Sequence, residues 1–423
     1  SGADILFLAA SPISGTALLT LDSGSNGVIT SNGVINMSGG VTITNSGGAS
    51  FNQAVTAGAV NVNGTTSGKD VAFNGTLNAT SLNTVTGAYN LKVLSGGNIS
   101  GATTLNNTGT TTLGDQTTDV LTFAGGLTAT SSSLLNLAGT IATTNTAMTL
   151  GNSVLTTSTT LRSGNASGII TTGSVTGGAG IKLSLQNSSA LGEVRLTGNV
   201  TVNQLETFGG GYAVKLTGSN NQISSGTATT FLNTGGVTFG DSITDVSTFT
   251  NGLIATASGV NLAGTVATTN TNMTLGAVTL AFDGTVKSGS GIITIAGVSG
   301  ANKLSLQDNT SNSRGLVVVN GTVNISQIET FSQGYAVSLL GTTTVTSAST
   351  FNNTGATTFG DGGTGVDTVT FTGGLTAKAG AVNLNSKLVT TNNLLDIGAV
   401  TLAGNSTLQS GTGTITVGSI TDG

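Results

Sequence analysis

The sequence has no cysteine, histidine or tryptophan, a single proline (Pro12), and charged residues at only 6%. Each absence removes a class of protein. Without cysteine there is no disulfide framework and no thiolate metal site. Without histidine, any general base would have to be Asp, Glu, Lys or Tyr. An ordinary soluble domain is about 25% charged, so this chain must reach solubility through Ser, Thr, Asn and Gly, short residues suited to strands and tight turns. The net charge is −5 with no Lys/Arg cluster, which argues against nucleic acid as a partner. The longest apolar run, residues 5–10, falls far short of the ~20 residues that span a bilayer. No basic segment precedes it, so neither membrane insertion nor a signal peptide is expected within these residues. If the protein is exported, its signal lies outside them. Long amphipathic windows rich in Leu, Glu, Lys and Ala are missing, and no helix is expected.

What is present is repetition. Gln204-Leu205-Glu206-Thr207-Phe208 returns as Gln327-Ile328-Glu329-Thr330-Phe331, and each is followed by Gly-Tyr-Ala-Val. The three tyrosines are 123 residues apart, from Tyr89 to Tyr212 and from Tyr212 to Tyr335. Asn136-Leu137-Ala138-Gly139-Thr140 matches residues 261–265, Met148-Thr149-Leu150-Gly151 matches residues 273–276, and Lys182-Leu183-Ser184-Leu185-Gln186 matches residues 303–307. Three superrepeats of about 123 residues follow from these matches. They cover approximately residues 1–177, 178–299 and 300–423, with an insertion of about 50 residues in the first, within 15–65.

A finer rhythm runs inside each superrepeat. Apolar residues alternate with Thr, Ser or Asn, as in Val400-Thr401-Leu402 and Ile415-Thr416-Val417. Period two marks a short strand with one buried face. Equivalent pairs recur at about 18–20 residues: Val382/Leu384 to Val400/Leu402, Ile397 to Ile415, Val319 to Val337, and Ile325 to Val345. A coil of that length cannot bury its apolar face alone, but stacked copies form parallel sheets around a continuous core. The expected fold is an all-β parallel β-helix solenoid running through residues 1–423. At the strand spacing of about 4.8 Å, some 20 coils would make a rod of roughly 100 Å. A string of immunoglobulin-like sandwiches suits the superrepeat length but not the finer rhythm, the single proline or the lack of linkers.

Chemistry-bearing residues are few, and they repeat. The acidic pairs Asp115/Asp119, Asp241/Asp245 and Asp361/Asp367 stand at equivalent places in the three superrepeats. An active site is usually present once and a turn motif in every repeat, so these read as turns, and the chain as no enzyme. Residues 362–370 (Gly-Gly-Thr-Gly-Val-Asp-Thr-Val-Thr) also fit the nine-residue calcium β-roll pattern, which makes Asp361 and Asp367 candidate calcium ligands. The other reading is an Asp-capped turn before a strand, since no second nonapeptide follows. No other cofactor is expected. Tyr89, Tyr212 and Tyr335 are candidates for stacking on glycan rings; alternatively each packs over a turn with its hydroxyl in water. Glu206 and Glu329 should point outward toward a turn amide or a lysine. Phe208, Phe231, Phe239, Phe331, Phe351 and Phe359 are expected in the core, and asparagines at turns in hydrogen-bonded ladders. Asn-X-Ser/Thr sequons such as the one at Asn74 carry little information in so Asn- and Thr-rich a chain.

Runs such as Phe359-Gly360-Asp361, Phe371-Thr372-Gly373-Gly374-Leu375 and Ala381-Val382-Asn383-Leu384 resemble the repeat regions of large bacterial exoproteins. These are the filamentous haemagglutinin-like, two-partner-secretion and autotransporter-passenger group. The resemblance is one of repeat chemistry along the whole chain. It implies a right-handed helix, export across a Gram-negative outer membrane to the cell surface, and a role in adhesion or biofilm. It transfers no catalytic residue, and no secretion-domain signature or translocator barrel is visible. Ser1-Gly2-Ala3 resembles Ser299-Gly300-Ala301, and Asp422-Gly423 falls at nearly the same phase of the repeat. Unpaired strand edges are therefore expected at both ends. Three functions stand open: an adhesin shaft continued by further repeats, a self-assembling extracellular fibre or sheath of copies stacked end to end, and a polysaccharide-processing enzyme. Surface glycans are possible partners of the first.

Overall fold

The computed structural model describes residues 2–9, 12–310, 313–362 and 367–423. By its internal contacts the chain divides into two compact units, Ser1–Val214 and Lys215–Gly423. Each is built of short parallel strands, with no helix among the described residues. In each unit the strands stack as a β-solenoid, about 20 turns in all. No helix is long and apolar enough to cross a membrane.

Each turn of the solenoid contributes three strands to three parallel columns. In the first unit one column runs Ile29, Ala49, Val71, Leu91, Thr111, Leu135, Ser153, Val175, Val200, each residue in register with the next. A second runs Ile35, Val55, Leu77, Gly97, Leu121, Ile141, Leu161, Leu185, Thr207. A third includes Thr103, Leu127, Met148, Ile170 and Val194. Residues 15–65, where an insertion was expected, join the same columns as ordinary coils. Period-two patterning explains the columns: inward residues are apolar and stack on their own kind, while outward ones stay polar and wet.

The coils are less uniform than 18–20 residues. One coil takes 18 residues from Val382 to Val400, and another takes 24 from Thr111 to Leu135. Two of the expected registers are observed, Val382/Leu384 with Val400/Leu402 and Ile325 with Val345. The other two slip by two residues: Ile397 pairs with Val417, and Val319 with Leu339. A slip of two leaves every side chain on the same face, so alternation alone cannot distinguish the two registers. Turn length decides.

The cores are stacked side chains. In the first unit Phe51 and Phe73 lie face to face, centroids 5.0 Å apart. In the second, Phe231, Phe239 and Phe249 form an edge-to-face trio, and Phe351, Phe359 and Phe371 form another. Phe208 and Phe331 depart from the expectation and are only half-buried. With Leu205 and Thr207 inward, as with Ile328 and Thr330, period two turns the next residue outward.

Candidate functional site

Outward positions are mostly small and polar, and a groove forms where an outward alanine lies between two larger neighbours in the same column. Three register sets do this: Ser50–Ala72–Lys92, Thr122–Ala142–Arg162 and Thr248–Ala267–Lys287. They open into grooves of about 480, 420 and 320 Å³; two lysines, Lys69 and Lys92, line the first, and a single cation lines each of the others. In the third superrepeat Val389 stands between Thr370 and Gln409, with no cation.

The Arg162 and Lys287 grooves share a rim, the turn Thr143-Thr144-Asn145 in one and Thr268-Thr269-Asn270 in the other. Asn145 and Asn270 are left-handed, at φ 60° and 57°, a conformation Asn tolerates better than most residues. Asn145 Oδ1 accepts the N–H groups of Asn165 and Ala166 on the next coil, both at 2.9 Å. Asn270 Oδ1 accepts that of Ser290 at 3.2 Å. The rim is thereby tied to its neighbour, and the grooves are fixed features.

The repeated aspartates are turn caps. Asp119 Oδ2 accepts the N–H of Asp115 at 2.9 Å and of Gln116 at 2.8 Å. Asp245 Oδ2 does the same for Asp241 at 2.9 Å and Ser242 at 3.0 Å, and Asp367 Oδ2 accepts from Asp361 at 3.2 Å. A glycine precedes each turn at Gly114, Gly240 and Gly360, with φ of 76°, 75° and 80°. Burial first, then the capping carboxylate beside it, raises the Asp115 and Asp241 carboxyls above the ordinary range. The candidate calcium turn, residues 362–370, lies partly outside the described residues. Among the described residues no group of three or more carboxylates converges.

The tyrosines present no face to a sugar. Tyr89, Tyr212 and Tyr335 are at most 1% exposed, so the stacking expectation is corrected. The hydroxyl is not in water either. Tyr212 donates to Leu185 O at 2.9 Å and accepts the Phe208 N–H at 2.7 Å; Tyr335 donates to Leu306 O at 2.8 Å and accepts the Phe331 N–H at 2.6 Å. Tyr89 donates to Val85 O at 3.1 Å. Burial pushes all three hydroxyls up to about 12. Each tyrosine fills the bend after its strand and satisfies backbone groups that the bend leaves over.

The glutamates bind lysine between coils. Glu329 accepts from Ser305 Oγ at 2.6 Å and Lys303 Nζ at 2.9 Å, and Glu206 from Ser184 at 2.7 Å and Lys182 at 2.9 Å. In the first superrepeat the same place holds an amide ladder, with Asn83 donating to Asn61 at 2.7 Å. The Ser305 and Lys303 hydrogen bonds hold the Glu329 carboxyl below its ordinary value, against the opposing effect of burial. A depressed carboxyl contributes stability that is present above its unfolded pKa, about 4.3, and lost as pH falls through the folded value. Glu329→Gln should therefore lose less of its urea midpoint than the parent protein between about pH 5 and pH 3. An identical acid response in both proteins would show that the pair contributes nothing to stability.

Sequence reading missed the buried amides. Gln186 and Gln307 are at most 1% exposed and left-handed at φ 66° and 63°. Gln307 Oε1 accepts the N–H of Ser288 at 2.9 Å, and its Nε2 donates to Ser288 Oγ at 3.3 Å. Their recurrence after Lys-Leu-Ser-Leu was the available signal. The alanine grooves had none, because they depend on which outward residues become neighbours. Compared with protein-family models, with curated proteins and with solved structures, the chain matches none. Its class rests on the fold itself: a parallel β-solenoid repeat protein.

Proposed function

We propose that this chain is a non-enzymatic structural segment of an extracellular surface protein, the shaft of a bacterial adhesin of the filamentous haemagglutinin-like kind. One observation carries the reading: the chemistry-bearing side chains that recur in the repeats are engaged in holding coils and turns together. Glutamates bind lysines of the preceding coil, tyrosine hydroxyls bind backbone, and the recurring aspartates cap turns. An enzyme would leave a converging acid and base free to meet substrate. The absence of cysteine suits an oxidising exterior without requiring disulfides.

A second reading is self-assembly into a fibre or sheath. In the shaft reading coils stack on further repeats of the same protein; in the fibre reading they stack on a second copy. Electron microscopy of the purified chain over a dilution series separates them. Discrete particles of one size at every concentration support the shaft, and filaments that lengthen with concentration support the fibre. Polysaccharide cleavage lost on replacing Asp367 alone, with fold intact, would overturn both. Antibody labelling of intact cells tests the surface location.

A further inference from the structure

The three alanine grooves are built alike, but their charges are not. Lys92 is ion-paired with Asp70, and Lys287 with Asp308 at 3.0 Å. These two cations are neutralised within the chain, although Lys69 also lines the Lys92 groove. In the Ala142 groove the corresponding basic residue is Arg162, and the place of Asp308, the residue after the buried glutamine, is taken by Asn187. Asn187 carries no charge, and among the described residues Arg162 has no ion-pair partner. The outcome is a half-buried arginine lining a groove of about 420 Å³, with no carboxylate partner among the described residues.

The rest of that groove sets hydroxyls and amides, from Thr122, Thr144, Asn145, Asn165 and Asn187, in a surface that is mostly carbon. Asn145 Oδ1 is occupied by two backbone N–H groups, which leaves its Nδ2 as a donor. The rim is also two residues longer here: Ser163-Gly164-Asn165-Ala166-Ser167-Gly168 stands where the Lys287 groove has Ser288-Gly289-Ser290-Gly291. The extra Asn165 adds another amide, whose oxygen accepts from Asn187 Nδ2 at 3.2 Å. Apart from the Ala142 methyl, no aliphatic or aromatic side chain lines the groove.

We propose that this groove binds a carboxylate-bearing sugar, a uronate residue of an acidic polysaccharide, with the Arg162 guanidinium on the carboxylate. A planar guanidinium matches a carboxylate in two parallel hydrogen bonds. The surrounding amides and hydroxyls match the ring hydroxyls of a sugar, and the volume falls in the range of small-ligand pockets. An acidic peptide would meet the same cation but brings no ring hydroxyls to the surrounding hydroxyls and amides. The shaft reading is not needed for this inference, which stands on the groove alone.

The test is calorimetric titration of the whole chain with trigalacturonate, maltotriose and a glutamate pentapeptide at low salt. One trigalacturonate site per chain is expected, weakening as salt is added, with maltotriose about tenfold weaker or more. Arg162→Gln should lose about tenfold or more in affinity. Asn187→Asp, which installs the internal counter-charge of the Lys287 groove, should do the same through a different residue. Thermal melts that match the parent protein separate lost binding from lost fold, and should one variant fail to fold, the other still decides. Unchanged affinity in a folded variant would overturn the assignment. So would equal binding of maltotriose, or of the pentapeptide, which would move the site to acidic proteins.

Discussion

Phe359→Ala should destabilise the second unit by about 3–5 kcal/mol, the range for emptying a buried phenylalanine site. Phe359 is fully buried and meets Phe351 at 5.6 Å and Phe371 at 5.8 Å, both edge to face. Truncation removes the ring's burial and both aromatic contacts, and leaves a hole between coils that backbone hydrogen bonds hold at fixed spacing. The loss should be local, because each coil contacts only its neighbours. Hydrogen exchange is the measurement: amides of Ala336–Leu339, Thr357–Phe359 and Val382–Leu384 should exchange faster, while those of Met273–Lys287 keep their protection. The control is Phe359→Leu, expected to cost about 1 kcal/mol, since Leu113 precedes the equivalent Gly-Asp turn in the first superrepeat and is itself fully buried. Equal losses from leucine and alanine would mean that ring packing is not what holds this column.

Gln307→Ala should cost about 2–4 kcal/mol through unsatisfied polar groups rather than lost packing. The Gln307 amide accepts the N–H groups of Ser288 and Gly289 at 2.9 and 3.2 Å. It also donates to the Gly289 carbonyl at 3.2 Å and to the Ser288 hydroxyl. Ser288 is fully buried, so water cannot replace the missing partner without opening the coil. Gln307→Gly separates two causes. At φ 63° glycine removes any left-handed strain, yet it supplies no amide. Both variants should show a lowered urea midpoint and faster exchange of the Ser288 amide. If glycine restores the midpoint, the backbone conformation and not the amide was the constraint.

Much of the fold was legible because it is periodic. Alternation such as Val400-Thr401-Leu402 named the inward residues, and recurrence of the Gln-Leu/Ile-Glu-Thr-Phe block announced stacked coils. Register was only half legible: Ile325 with Val345 followed from spacing, whereas Ile397 with Val417 did not. Turn lengths absorb or release two residues without changing any face. The tyrosine hydroxyls were misplaced for a related reason. A repeated exposed aromatic and a repeated buried one leave the same mark in sequence, and only the backbone bend at Phe208 and Phe331 draws the hydroxyl inward.

The sequence by itself determined the strands, the inward faces, the repeat and the absence of thiol and imidazole chemistry, because these depend on residue type and spacing along the chain. Only the tertiary structure decided which outward residues lie above one another. That stacking makes a groove at Ala142, neutralises Lys92 and Lys287, and leaves Arg162 without an ion-pair partner among the described residues, because neighbours in a column are a whole coil apart in sequence. The length of the intervening turns sets which pairs meet.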